Sequence, residues 1–130
     1  LEIGASSWDK SNDFIAPFSN YGKKTVDFFS PGVNIYSTYP DDEYQSNSGT
    51  SMASPVTAGV AALIMSYFPD LTAAQVRNIL RESTRKFDNL KVKKPGVNED
   101  VNFSQLTITG GMVNAYEAVK LAMNQQKKIE

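Results

Sequence analysis

Apolar and polar positions fall into a few short blocks along this chain. Leu1 to Ala5 is a compact apolar run followed by a polar cluster, which predicts a strand. Ser6 to Tyr21 is rich in Ser, Asn and Asp and predicts a surface excursion. Val26-Asp27-Phe28-Phe29 predicts a second strand, stopped by the turn signal Ser30-Pro31-Gly32. Val33, Ile35, Ser37 and Tyr39 then alternate with Asn34, Tyr36 and Thr38, the period of a third strand. Pro40-Asp41-Asp42 turns the chain again.

From here the pattern becomes helical. Val56 to Phe68 is apolar on nearly every face and predicts a buried helix, with Pro55 in its first turn, where a missing N–H costs least. Ala58, Gly59, Ala61 and Ala62 give it a small-residue surface that admits a neighbouring backbone, and Pro69 stops it. Thr72-Ala73-Ala74-Gln75 has the form of a capping box, with Leu71 and Val76 at the hydrophobic-staple positions. Val76, Ile79 and Leu80 make one apolar stripe, while Arg77, Arg81, Glu82 and Arg85 face water. Lys86 to Ser104 is polar and reads as a long loop or insertion, with Lys91, Lys93 and Lys94 ahead of Pro95-Gly96. Gln105 to Thr109 predicts a short strand, and Gly110-Gly111 punctuates. Asn114-Ala115-Tyr116-Glu117 caps a last helix with Tyr116, Val119 and Met123 on one face, fraying from Gln125 to Glu130. No internal repeat or low-complexity tract interrupts this order.

Composition narrows the function classes. The chain has 130 residues, the size of one ordinary domain or a piece of a larger one. Its formal net charge of -1 gives no electrostatic case for nucleic acid or an anionic membrane as a partner. It has no Cys, hence no disulfide, thiol nucleophile or thiolate metal site. It has no His, so a complete Ser-His-Asp triad or a His-ligated zinc site cannot form within it. No apolar run reaches the length of a membrane span. The sequence opens on strand-like residues at Leu1 without an initiator Met, which reads as an excised fragment. No signal peptide is visible, and in a fragment that says nothing of the parent.

The segment Asn47-Ser48-Gly49-Thr50-Ser51-Met52-Ala53-Ser54-Pro55 carries the candidate chemistry. It places Ser51 at the start of a helix, after a Gly that permits a tight turn. Free N–H groups and the positive end of the helix dipole stabilise negative charge developing nearby. A fixed, accessible hydroxyl in that field suits an acyl-transfer nucleophile. Local physics equally allows Ser51 or Thr50 to be no more than an N-cap.

The longer string resembles the nucleophile motif of the subtilisin-like serine proteases: Gly49-Thr50-Ser51-Met52-Ala53-Ser54-Pro55, then Ala58-Gly59 and an Ala-rich helix. Phe18-Ser19-Asn20-Tyr21-Gly22 resembles the family's F-S-x-x-G turn. Val26 to Val33 resembles its V-D-x-x-A-P-G-V segment, and Ile35-Tyr36-Ser37-Thr38 the strand that follows. Leu71 to Arg77 resembles the next helix, and Gly110 to Ala115 the G-x-x-N-A entry to the last one. The resemblance runs in order over most of the chain. It implies an α/β fold, the C-terminal portion of a subtilisin-like three-layer domain, with a mostly parallel sheet, a hairpin and a buried nucleophile-bearing helix. Residues 1–130 would be the C-terminal half of that domain.

The resemblance implies a serine endopeptidase acting on protein or peptide substrates through an acyl-enzyme on Ser51, whose own N–H is one oxyanion donor. It places Asn47, Ser48 and Thr50 at substrate, with Asn47 and Ser48 on the leaving-group side of the cleft. The triad's Asp and His and a second oxyanion donor, an Asn, belong upstream; Asp9, Asp13 and Asp27 match the wrong segments for the triad Asp. Without imidazole the chain alone is expected to be inactive. Its partner would be the missing N-terminal half; without that half, a bare Leu1–Ala5 strand edge and a bare helix face are expected to drive self-association. Family habit favours a secreted or cell-envelope location. Where the family usually has His after the motif's Pro, this chain has Val56.

Other features read more plainly. No cofactor is implied. Asp41-Asp42-Glu43 offers oxygens to a hard cation but reads as a solvated turn. Met52 is both a packing residue and an oxidation liability. The lysines of Lys86–Ser104 need no acidic partner. A non-catalytic, protease-like scaffold is the rival function, against which the retained Ser51 argues. A nucleophile-elbow esterase fails because no His follows Ser51, and a phosphate loop fails for want of Gly-Lys-Ser/Thr.

Overall fold

A computed structural model describes residues 1–8 and 14–129, with nothing stated of the Ile129 side chain. Asp9 and Asp13 lie outside the described residues. Its central sheet has the order β1-β2-β8-β5, built from β1 (Ile3–Ser6), β2 (Phe28–Pro31), β5 (Arg85–Lys86) and β8 (Gly111–Met112). β1 with β2 and β2 with β8 are parallel, and only β5 runs antiparallel to β8. Strands β3 (Ile35–Tyr39) and β4 (Glu43–Asn47) form one separate hairpin, β6 (Lys91–Lys93) and β7 (Asp100–Asn102) another. The helices are α1 (Thr50–Tyr67), α2 (Ala73–Glu82) and α3 (Ala115–Ile129). The sheet is mostly parallel, as expected.

The helices share one apolar cluster with the sheet. Ile3, Ala5 and Phe28 meet Ala53 and Ile64 of α1, Val76, Ile79 and Leu80 of α2, and Ala118 and Ala122 of α3. The α2 stripe and its capping box form as the sequence predicts: Thr72 accepts from the Gln75 amide, and Gln75 Oε1 accepts from the Thr72 amide. In α3 the buried positions are Ala118 and Ala122, whereas Tyr116 and Met123 are exposed. Small residues let α3 approach the core closely; of the predicted face, Val119 packs partly against the core while Tyr116 and Met123 point outward. The helix continues past Gln125 to Ile129, and Gln126 Nε2 donates to Asp70 at 2.9 Å.

A second cluster lies elsewhere on the sheet: Phe14, Ile15, Val26, Phe29, Val92, Val101, Phe103 and Leu106. Two expectations are corrected here. Ser6–Tyr21 is not all surface, since Phe14, Ile15 and Ala16 are buried. Lys86–Ser104 is not a solvated loop. Its hairpin buries Val92 opposite Val101, with Lys91 and Asp100 exposed beside them and Lys93 and Asn102 half-buried. Lys93 and Lys94 pair with Asp100 and Glu99, so part of the lysine charge is answered within the hairpin. Gly4 permits this packing: a Cβ there would stand 2.5 Å from the Phe29 ring, which lies over β1.

The β1 edge is less bare than expected. Ala5 N–H donates to Ser19 Oγ at 2.8 Å, the Ala5 carbonyl accepts from Ala16 N–H, and Ser7 N–H donates to the Phe14 carbonyl. These bonds satisfy outer-edge groups that would otherwise template another strand. The strand expected at Gln105–Thr109 is instead a 3-10 turn, Phe103–Gln105, followed by loop. The Ile108 and Thr109 amides donate to the Val26 and Asp27 carbonyls, and the fourth sheet strand is Gly111–Met112.

Candidate active site

The site starts from Gly32 and Gly49. Gly49 N–H donates to the Gly32 carbonyl at 2.8 Å, pinning the loop before α1 to the end of β2. A Cβ on Gly32 would lie 2.8 Å from the Gly49 carbonyl oxygen, 2.8 Å from Ala5 Cβ and 3.0 Å from Ala53 Cβ. Only glycine allows that approach. Gly49 is the N-cap, and its carbonyl accepts from both Met52 and Ala53. The helix therefore opens at Thr50, with Ser51 in its first turn, at the helix start where the segment places it. Pro55, expected in the first turn, lies inside the helix past that turn. Pro55 has no N–H to give the Ser51 carbonyl.

Ser51 is exposed. The amides of Thr50 and Ser51 belong to the first helical turn, where no preceding carbonyl of the helix can take them. They and the dipole of an 18-residue helix favour negative charge beside Ser51. Among the described residues the Ser51 hydroxyl has no hydrogen-bond partner, so nothing described here polarises it. The helix carries no acidic residue in its first turn to oppose an anion.

Ser51 sits on a ridge between two clefts. One, about 380 Å³, runs between the β3–β4 hairpin and α1 and includes Tyr39, Gln45, Asn47, Ser51 and Met52. The other, about 510 Å³, lies towards β1 and includes Glu2, Asn20, Thr50, Ser51 and Ser54. The structure thus brings Asn47 to one side of Ser51 and Thr50 to the other. Ser48 is used differently: its Oγ accepts from Asn34 N–H at 2.9 Å, tying the hairpin base together. Asn20, Tyr39 and Gln45 were not singled out from sequence. For Tyr39 and Gln45 the signal was there, in the strand alternation that puts them on one face with Asn47.

Asp27 lies apart from both clefts. Its carboxylate accepts from Arg81 Nε at 3.1 Å and from Glu2 N–H at 2.8 Å, joining α2 to the start of β1. That is an anchoring role. At the hairpin turn Asp41 and Asp42 are both left-handed, with φ of 66° and 58°. Among the described residues no three His, Cys, Asp or Glu side chains group as metal ligands. Met52 is half-buried in the first cleft, where its thioether packs beside Gly49.

The exposed side of α1 departs from expectation. Ala53, Thr57 and Ile64 are buried, but Ala58, Gly59, Ala62, Leu63, Met65 and Tyr67 face outward. The helix is buried on one face only within this chain. No described helix is long and apolar enough to cross a membrane.

The Subtilase family model matches residues 2–106. Subtilisin DY of Bacillus licheniformis is 54% identical over 80 residues, covering 62% of this chain and 28% of that protein. M-protease of Shouchella clausii is 40% identical over 97 residues, 75% of this chain and 24% of that protein. The chain thus spans about a quarter of the length of these relatives. Among solved structures, the A-subunit of the AB5 toxin from E. coli superposes with a TM-score of 0.74 at 25% identity, over 94% of this chain and 37% of that one.

Proposed function

This chain belongs to the subtilase family, and on that premise we propose that it supplies the nucleophile of a serine endopeptidase. One observation carries the reading: Ser51 stands exposed in the first turn of a long helix, on a ridge between two clefts. Ser51 Oγ attacks the scissile carbonyl carbon and passes its proton to an imidazole supplied from outside these residues. The carbonyl oxygen takes up negative charge beside the Ser51 amide. Collapse breaks the C–N bond, the amine leaves with the proton, and water then releases the acyl group from Ser51.

Thr50, Asn47 and Ser48 take supporting places in this reading. Thr50 lines the β1-side cleft. Asn47 lies on the leaving-group side, and Ser48 fixes the strand that presents it through its bond to Asn34. The partner is the N-terminal half of a subtilase domain, carrying the Asp, the His and the oxyanion Asn. Residues 1–130 alone hold a nucleophile without a base and stay inactive. A secreted or cell-envelope location goes with this reading.

A graft tests it. The part of Subtilisin DY that precedes the matched region is joined to this chain. The graft should cleave casein and take a fluorophosphonate label at Ser51; Ser51→Ala and the chain alone should do neither. A graft that folds by circular dichroism yet leaves Ser51 unlabelled would overturn the reading in favour of a non-catalytic scaffold.

A further inference from the structure

The β3–β4 hairpin is a two-stranded sheet of its own, exposed from Tyr36 to Asn47. Its register sets Asn47 opposite Ile35, Gln45 opposite Ser37, and Glu43 opposite Tyr39. Alternation puts these six side chains on one face. Five of them line the 380 Å³ cleft with Ser51 and Met52. The cleft is therefore a groove that starts at Ser51 and Asn47 and runs along the hairpin to Tyr39, with Glu43 just beyond its lining, paired across the strands from Tyr39. Asn47 stands four residue steps from Glu43, about 13 Å at a rise of ~3.3 Å per residue. An extended peptide covers that length in about four residues.

The far end of the groove has a definite chemistry. Tyr39 offers a half-open aromatic ring, 46% exposed, next to the Glu43 carboxylate. A long cation fits such a pair, its aliphatic stem along the ring and its charged head at the carboxylate. From Val33 to Gly49 there is no Lys or Arg. Among the described residues none of Asp41, Asp42 and Glu43 is in a salt bridge, and Glu43 holds only the neutral Gln45 amide, at 3.1 Å. The groove thus ends in negative charge with no counter-ion from the hairpin itself.

We propose that this groove reads charge on the leaving-group side of the substrate, favouring Lys or Arg about four residues beyond the scissile bond, with Tyr39 and Glu43 as the specificity-determining pair. The inference rests on the endopeptidase reading for its direction along the substrate. The test uses the 130-residue chain with Ser51→Ala and two fluorescein-labelled decapeptides that differ at one position, Lys or Glu. Fluorescence anisotropy at low salt should show the Lys peptide binding about 5-fold tighter. Glu43→Gln should bring the ratio close to one, as should high salt. Tyr39→Ala should lower it in part, and both sites are exposed enough for the variants to keep the fold. A ratio near one in the parent chain, a ratio untouched by Glu43→Gln, or no binding of either peptide overturns the proposal. A graft unlabelled at Ser51 together with an intact Lys preference faults the endopeptidase reading alone. A labelled graft without the preference faults the groove alone.

Discussion

Replacing Gly32 by Ala tests whether the approach of β2 to α1 positions Ser51. The new Cβ meets the Gly49 carbonyl oxygen and Ala5 Cβ at 2.8 Å and Ala53 Cβ at 3.0 Å. Each neighbour is backbone or the first side-chain atom, so no rotamer change relieves the clash. Ordinary contact needs a separation of about 3.4 Å or more, and the chain must open by roughly half an ångström. Overpacking of this kind costs about 1–3 kcal/mol. Opening also stretches the 2.8 Å bond from Gly49 to Gly32, a net contribution of about 1 kcal/mol. Against this stands a gain of about 0.4–1 kcal/mol from a less flexible unfolded chain. The expected net loss is about 1–3 kcal/mol. Gly59→Ala is the internal control. It lies on the open face of α1 with nothing within 4 Å of its Cβ, so it should stabilise the helix by about 0.5–1 kcal/mol. Urea unfolding followed by circular dichroism measures both. In the Subtilisin DY graft, Gly32→Ala should also slow labelling of Ser51, while Gly59→Ala should not. If Gly32→Ala unfolds at the parent's midpoint with an unchanged slope and labels at the parent's rate, the close approach does not set the site.

The remaining predictions concern charge, an unpaired hydroxyl and assembly. Asp27→Asn removes an ion pair whose carboxylate side chain is 8% exposed and whose guanidinium is 29% exposed, so it should cost about 1–3 kcal/mol. Glu117→Gln, at an exposed pair with Lys120, should cost less than about 0.5 kcal/mol; equal losses in urea unfolding would refute the contrast. The buried Thr57 hydroxyl has no partner among the described residues, so Thr57→Val should raise the urea midpoint, and a lower midpoint would show that the hydroxyl is satisfied. Burial holds the Lys86 ammonium below its ordinary pKa, partly offset by Asp88. The folded state then binds fewer protons than the unfolded one in the window just below 10.5. The Lys86 penalty is present at neutral pH and is relieved as pH rises through that window, so the parent should gain stability relative to Lys86→Met as pH rises toward 10.5. A parent that loses ground there would reverse the sign. The outward face of α1 should drive self-association at micromolar concentration, and Ala62→Glu should weaken it. Sedimentation velocity showing only a 14.3 kDa monomer for the parent chain would count against this.

What could be read from the sequence, and what could not, divides along contiguity. The Ser51 segment, the Thr72–Gln75 box and the Val76-Ile79-Leu80 stripe are each contained in one short stretch, so local rules suffice to place them. The second cluster is assembled from Phe14 and Ile15, Val26 and Phe29, and Val92 to Leu106. Within its own block several of these apolar residues stand among polar neighbours, and only the sheet brings them together. β8 is harder still. Two residues at a Gly pair become a strand because Phe29 lies on one side and Arg85 on the other, with no help from propensity.

The α1 helix shows why a correct pattern gave an incomplete answer. An all-round apolar sequence states how much burial a helix needs, and not which chain provides it. Here the sheet, α2 and α3 share one apolar cluster with Ala53 and Ile64, and Thr57 is buried as well, while Ala58, Ala62 and Leu63 stay open. Ser51 sits in the first turn of that same half-covered helix. The open face of α1 and the Ser51 hydroxyl are therefore on one rigid element. A cover that docked on that face would be held in fixed register with Ser51, so under the proposed function the same contact that completes the packing of α1 would also fix the groups it carries relative to Ser51.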